Sequence, residues 1–374
     1  MVLGRELSRR DFIKLSAGST AALGLMLFHF PNFEKVFAAA VAEVPVIWLQ
    51  GGGCTGCSVS VLNSLSPKIQ DILVGQVIPG QHVSLRYHPT VMAASGELAL
   101  QAIEDTARMK GGYVLVIEGA VPTKDGGIYC EIGEQAGRGI TMLEYTTMLG
   151  REAMAVVALG ACATHGGIPS AAPNTTGCKG VKAIYTEEGI STPVINLPGC
   201  PPHPDWFVGT LASVLIGGLG SVEMDAQGRP LAFYGKLIHD NCPRRAYFDA
   251  GKFAKKYSEP YCLFELGCKG PVTHADCPIR LWNSGTNWCV GSGGPCIGCA
   301  ELGFPDNVSP FRKVAEVYSV TPPSWLPPIE KEPEAEGFNA GLAAGLGAIG
   351  GIAAGAAATA IVKRRAKPKE ETEE

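Results

Sequence analysis

The sequence has almost no surplus of charge. Its 374 residues carry 31 Lys and Arg against 35 Asp and Glu, a formal net charge of −4. That gives no case for a nucleic-acid partner. No internal repeat stands out. A phosphate loop is missing too: Gly51-Gly52-Gly53 lacks the GxGxxG spacing, and no Lys follows as in a Walker motif. These glycines are expected to let the backbone approach a bulky ligand held by Cys54 and Cys57. From Asp240 to Glu301 clean hydrophobic periodicity is lacking as well. Cysteine is the exception to this scarcity. There are 13, most of them in short spaced groups.

Cysteine at this density points to disulfides, zinc or iron–sulfur clusters. The N-terminus bears on the choice. SRRDFIK at 8–14 reads as a twin-arginine signal, followed by an apolar stretch from Leu15 to Phe30 and small residues at Phe37-Ala38-Ala39-Ala40. Residues 1–42 are therefore set aside as a signal peptide. This route exports folded proteins, often with a cofactor already inserted, which weakens the disulfide reading although export permits disulfides. At the other end, residues 338–362 are Gly/Ala-rich and carry no charge. As a helix they would span roughly 37 Å, enough for a bilayer core of about 30 Å. Lys363, Arg364, Arg365, Lys367 and Lys369 follow, which places the tail 363–374 in the cytoplasm and the body outside. A flexible tail is the alternative. The Pro- and Glu-rich stretch 320–337 reads as a linker.

The first half alternates strand-like and helix-like segments. Pro45–Gln50, Gly112–Gly119, Ala155–Gly160 and Pro193–Leu197 are apolar runs, and Ser58–Leu65 begins a helix. Continuous apolar strands between helices predict an α/β fold with a parallel sheet covered on both faces. Functional crevices in such sheets lie at the carboxyl ends of the strands. Cys54 and Cys57 follow the first run, Cys162 the third and Cys200 the last. One four-thiolate site at one sheet edge is expected, with structural zinc or unrelated thiols as alternatives. His88, His165 and His203 read as hydrogen-bonded neighbours. In the irregular second half the available ligands are His239, Cys242, Cys262, Cys268, Cys277, Cys289, Cys296 and Cys299. Eight ligands make two sets of four. Cys242-Pro243 and Cys277-Pro278 are like the Cys-Pro pairs beside iron–sulfur ligands. Spacing alone does not assign each ligand, and a histidine among thiolates suits zinc as well.

Seven ordered strings now carry a specific resemblance: PVIWLQGGGCTGCS, EGAVPT, GACATHGG, LPGCPPHPDW, IHDNCPR, ELGCKGP and PCIGCAE. They resemble the small subunit of nickel–iron hydrogenases from about Pro45 to Phe311, and the signal and tail are similar to those of membrane-bound members. The resemblance implies a flavodoxin-like N-terminal domain (43–225), a small irregular iron–sulfur-binding domain (226–319) and a C-terminal transmembrane helix (338–362). It implies an electron-transfer subunit of an exported hydrogenase, an oxidoreductase whose nickel–iron centre sits on an obligatory large subunit. No catalytic residue is assigned to this chain. The proximal [4Fe-4S] cluster would use Cys54, Cys57, Cys162 and Cys200. The distal [4Fe-4S] cluster would use His239, Cys242, Cys262 and Cys268, with the neutral imidazole marking the electron exit. The medial cluster would use Cys277, Cys296 and Cys299, which bind [3Fe-4S] in many members.

Two departures matter. Cys289 stands where many relatives have proline, so a medial [4Fe-4S] is expected, as in the nickel–iron–selenium branch. Oxygen-tolerant relatives have two extra proximal cysteines; Gly56 and Gly167 occupy those positions here, so an ordinary cubane is expected. Cys130 and Cys178 are read as structural. The electron partner would be a membrane cytochrome b, another quinone-reactive subunit or a cytochrome c. Two other readings are an exported disulfide- or zinc-stabilised scaffold and a complex I-type quinone oxidoreductase subunit, the latter lacking the second cysteine region and the export signal.

Overall fold

A computed structural model describes residues 42–65, 67–68 and 81–313. The signal peptide, linker, membrane helix and tail expected above lie outside the described residues. Among those described, no helix is long and apolar enough to cross a membrane.

Five strands form one parallel sheet: β1 (Ala42–Gln50), β2 (Gln81–Tyr87), β3 (Val114–Glu118), β4 (Ala155–Leu159) and β5 (Val194–Leu197). Their spatial order is β2-β1-β3-β4-β5. The order reverses between β1 and β3, so the ligand crevice of a doubly wound sheet falls outside their carboxyl ends. Four strands match the apolar runs. β2 does not: its sequence QHVSLRY alternates polar with apolar, as suits an edge strand, and lacks a continuous run.

Strand periodicity divides the core. Val46 and Trp48 of β1 face one hydrophobic cluster, and Ile47 and Leu49 face the other. The second cluster is closed by α2 (Glu97–Ala107), α3 (Met142–Glu152) and α5 (Val181–Glu187), through Ile103, Leu149 and Ile184 among others. The first is closed by α1 (Gly56–Leu62) and α6 (Pro204–Gly217), and it runs on without a break into Phe233, Cys242, Cys277 and Trp288. The irregular segment thus packs against the same sheet face as α6. Fully buried Ile47, Leu49, Leu115 and Ile117 each contribute roughly 1.5–3 kcal/mol. Two short antiparallel ribbons, 121–122 with 178–179 and 131–135 with 138–141, complete the described strands.

The glycine run also makes a contact that the sequence does not announce. A Cβ at Gly51 would stand 2.6 Å from the Ala120 carbonyl oxygen, and one at Gly53 would stand 3.2 Å from the Gly119 Cα. The run lets the chain leaving β1 pack on the chain leaving β3, held by reciprocal Gly52–Ala120 amide–carbonyl bonds of 2.8 Å. This juxtaposes the two strand tips that flank the crevice.

Candidate metal centres

The cysteine-bearing loops leave the sheet as the strand pattern requires. Cys54 and Cys57 follow β1, with Cys57 inside α1. Cys162 lies in the short helix α4 (Ala161–His165) directly after β4, and Cys200 follows β5. The four are electrostatic neighbours. Burial pushes the Cys57 thiol up most, and then Glu118, Cys162, Cys200 and Cys54 add to it. Cys162 is pushed up to about 12, by burial first and then by Cys200. Without a cation such thiols stay protonated; binding a metal group supplies the missing positive charge and drives their deprotonation.

Between the β1 and β4 loops, at the end of β3, stands Glu118. It is 3 % exposed yet fully hydrogen-bonded. Its Oε1 accepts from the amides of Cys57 (3.1 Å) and Ser58 (3.0 Å). Its Oε2 accepts from Trp48 Nε1 (2.9 Å), Gln50 Nε2 (3.0 Å) and the Ser58 hydroxyl. The Thr90 amide donates to His88 Nδ1 (3.1 Å), which leaves His88 Nε2 to donate to Ser58 Oγ (3.1 Å). A directed chain, His88 to Ser58 to Glu118, therefore ends on the carboxylate that holds the Cys57 amide. Glu118 opens the EGAVPT string, and its role was not foreseen. Its one signal in the sequence is a carboxylate closing an otherwise apolar run.

Close packing shapes this site. A Cβ on Gly160, whose φ is +92°, would lie 2.4 Å from Cys57 Sγ. Gly167, with φ +51°, would place a Cβ 2.8 Å from the Cys162 nitrogen. An additional cysteine there would be strained in backbone and contact alike.

In the irregular segment, one cavity is lined by His239, Cys242, Cys262 and Cys268 together. The Nε2 of His239 is buried without a hydrogen-bond partner, which suits a ligand. Burial first, then the Arg245 cation, lowers the His239 pKa to about 4. The imidazole is therefore neutral at ordinary pH, as ligation requires. Cys242 and Cys262 are pushed up to about 12 and about 11, chiefly by burial, with Cys268 adding to both.

Cys277, Cys296 and Cys299 form a third group. Burial and then Cys299 raise Cys277, and Cys289 acts on both Cys277 and Cys299. Exposed Cys289 is thus an electrostatic neighbour of two members of this group, and it acts on Cys268 as well. The third group neighbours both others. Cys200 acts electrostatically on Cys299, and the Cys296 amide donates to Cys268 Sγ at 3.3 Å. The PPHPDW string fixes this joint. His203 Nδ1 accepts from the Asp205 amide while its Nε2 donates to the Leu281 carbonyl at 2.8 Å. Trp206 Nε1 donates to Asp276, beside Cys277, at 2.7 Å.

All thirteen thiols are unbridged, and among the described residues no group of His, Cys, Asp or Glu is placed to hold a single metal ion. The donors present, neighbouring thiols with one neutral imidazole, are of the kinds that iron–sulfur clusters take. Cys130 and Cys178 stand apart from the three groups. Cys178 is buried, with Thr176 Oγ1 3.2 Å from its sulfur, and Cys130 is half-buried nearby. His88 and His203 are hydrogen-bonded through both ring nitrogens, whereas His165 pairs with Thr164 Oγ1 at 2.8 Å and its Nε2 is buried without a partner.

Comparison with known proteins identifies the family. Residues 234–312 match the C-terminal family of the NiFe/NiFeSe hydrogenase small subunit, and residues 54–214 match NADH ubiquinone oxidoreductase, 20 Kd subunit. The periplasmic [NiFeSe] hydrogenase small subunit of Desulfomicrobium baculatum is 45% identical over 317 residues, 82% of this chain and 98% of the relative. The uptake hydrogenase small subunit of Bradyrhizobium diazoefficiens is 35% identical and covers 98% of this chain and 95% of its own. The solved H2-activated [NiFeSe] hydrogenase of Dm. baculatum superposes with a TM-score of 0.68 at 45% identity, over 73% of this chain and 99% of that one. The actinobacterial-type NiFe hydrogenase of Ralstonia eutropha H16 gives 0.68 at 29% identity, over 92% and 98%. The chain belongs to the family of nickel–iron hydrogenase small subunits.

Proposed function

We propose that this chain is the electron relay of an extracytoplasmic nickel–iron hydrogenase, paired with a large subunit that activates dihydrogen. Iron–sulfur clusters would supply single-electron transfer at each station. Cys54, Cys57, Cys162 and Cys200 would hold a proximal [4Fe-4S] beneath a flavodoxin-like sheet. His239, Cys242, Cys262 and Cys268 would hold a distal [4Fe-4S]. Cys277, Cys296 and Cys299, with Cys289, would hold a medial [4Fe-4S]; three thiolates alone would leave [3Fe-4S]. The observation that carries this reading is the place of the middle group, whose Cys299 is an electrostatic neighbour of Cys200 and whose Cys296 amide donates to Cys268 Sγ. A relay needs that order.

The chain's own residues position and insulate. Glu118 orients the Cys57 backbone, Trp206 ties Asp276 to α6, and burial keeps water from Cys242, Cys262, Cys268, Cys277 and Cys296. The domain division at residue 226, twin-arginine export, anchoring through 338–362 and delivery to a membrane cytochrome b, another quinone-reactive subunit or a cytochrome c belong to the same proposal. The uptake and periplasmic names of the relatives support an extracytoplasmic site. The complex I-type alternative shares the match over 54–214 but does not account for 234–312. The test is iron and spin. The purified heterodimer should be brown and hold about a dozen irons in this chain. A colourless, zinc-bearing protein overturns the relay, and an intense [3Fe-4S] resonance in the oxidised enzyme overturns the medial cubane.

A further inference from the structure

The rim around the distal group is basic, although the chain as a whole is acidic. Arg244 follows Cys242 by two residues and donates to the Tyr261 carbonyl at 2.9 Å. Residues 252–254 run beside Cys262. The Cys262 amide donates to the Lys252 carbonyl at 3.2 Å, and the Ala254 amide donates to the Cys262 carbonyl at 2.8 Å. Lys255 and Lys256 come next, both exposed. Phe311 lies so close to Gly267 that a Cβ there would stand 2.3 Å from its carbonyl carbon, which brings exposed Arg312 and Lys313 to the same rim. Residues 240–265 and 311–313 hold seven Lys and Arg against four Asp and Glu, a local charge of +3 against −4 for the chain. The carboxylates are engaged: Asp249 with buried Arg245, Glu265 with Lys313, and Glu259 with the Lys255 amide. Three large aromatic side chains stand exposed among these cations, Tyr257 (56%), Tyr261 (37%) and Phe311 (60%). Exposed aromatics and Arg are enriched at docking surfaces, and lysines around them steer an oppositely charged partner.

We propose that this rim docks an acidic redox protein, steered by Lys255, Lys256, Arg312 and their neighbours onto the backbone that carries Cys262. The proposal rests on the assignment of Cys242, Cys262 and Cys268 to the distal cluster. An electron carrier is favoured over an anionic lipid surface because the charges border a redox ligand and a lipid takes up no electron. In each transfer the distal group loses one electron and the carrier gains one, with dihydrogen as the ultimate reductant.

The test uses the heterodimer with its large subunit, dihydrogen, and three acceptors: an acidic iron–sulfur carrier protein, a lysine-rich cytochrome and a small dye. In Lys255→Glu/Lys256→Glu the second-order rate to the acidic carrier should fall on the order of tenfold, and the rate to the cytochrome should rise. The dye rate and iron content should stay as in the unsubstituted enzyme. Added salt should slow the acidic carrier in the unsubstituted enzyme. An acidic-carrier rate untouched by the substitutions, or a cytochrome rate that falls, overturns the proposal. So does lost binding to phosphatidylserine vesicles with all carrier rates unchanged. The distal assignment is checked separately by the iron count of the unsubstituted enzyme, so its failure is told apart from failure of docking.

Discussion

Glu118→Gln isolates one charge next to the proximal group. Oε1 lies 3.1 Å from the Cys57 nitrogen, and the bonds from that nitrogen to Sγ place the sulfur no more than about 8 Å from the carboxylate. At an effective dielectric constant of about 20, one charge at that separation is worth about 2 kcal/mol. Glu118 already raises the Cys57 thiol, second only to burial, so its field opposes negative charge at this site. Removing the charge should make the proximal cluster easier to reduce. At about 1.4 kcal/mol and about 59 mV per factor of ten, the midpoint should rise by about 90 mV. The amide also brings an N–H group toward donors. Oε1 faces two and Oε2 faces three, so at least two donors lose an acceptor, a local cost of about 2–4 kcal/mol. The assay is an EPR-monitored redox titration of the assembled heterodimer at full iron content. A proximal midpoint that is unchanged or lower, with iron intact, refutes the electrostatic reasoning.

Three further outcomes follow from the same geometry. Cys289→Ala should give the oxidised enzyme a [3Fe-4S] EPR signal that the unsubstituted enzyme lacks; no change between the two makes Cys289 a spectator. Gly160→Ala puts a methyl 2.4 Å from Cys57 Sγ at a φ of +92°, so iron analysis should find about one cluster missing, and full iron would contradict the packing. Burial lowers the pKa of His88, His165 and His203 from 6.5. Between the folded values and 6.5 the unfolded chain binds more protons, so their contribution is complete above 6.5 and is lost as pH falls through the folded values. The melting midpoint should therefore drop from about pH 7.5 to about pH 5.5; an equal midpoint at both would show that these rings do not oppose protonation.

Much of the sheet was legible because buried parallel strands need continuous apolar runs. VLVIE and AVVAL leave few other structures open, and the cysteines that follow such runs share one edge by topology alone. β2 escaped because an edge strand need bury only part of its surface, and QHVSLRY hides that in alternation. The glycine run signals close approach, but the neighbour it approaches is Gly119–Ala120, a pairing that no local pattern encodes. Glu118 was invisible for a similar reason. Its five donors come from residues 48, 50, 57 and 58, which only the β1–β3 pairing brings to one carboxylate. In the second half the ligand residue types were readable, but their division into sets depends on long-range packing such as the Cys268–Cys296 contact.

That packing also grades the charge along the relay. At the proximal end Glu118 pushes the Cys57 thiol up. Between the middle and distal groups sits Lys269, whose amide donates to the Cys296 carbonyl at 2.8 Å and whose cation pulls Cys268 down. At the distal end Arg244 pulls down both Cys242 and Cys262, and Arg245 disfavours further positive charge on His239, while Asp249 acts in the opposite sense on Cys262 and His239. Cations stabilise the reduced form of a neighbouring cluster and anions destabilise it. Under the proposed assignment, an electron arriving beside Glu118 is repelled, and one arriving beside Arg244 and Lys269 is held. The fixed charges of this chain therefore contribute a slope toward the distal rim, the direction in which dihydrogen oxidation sends electrons.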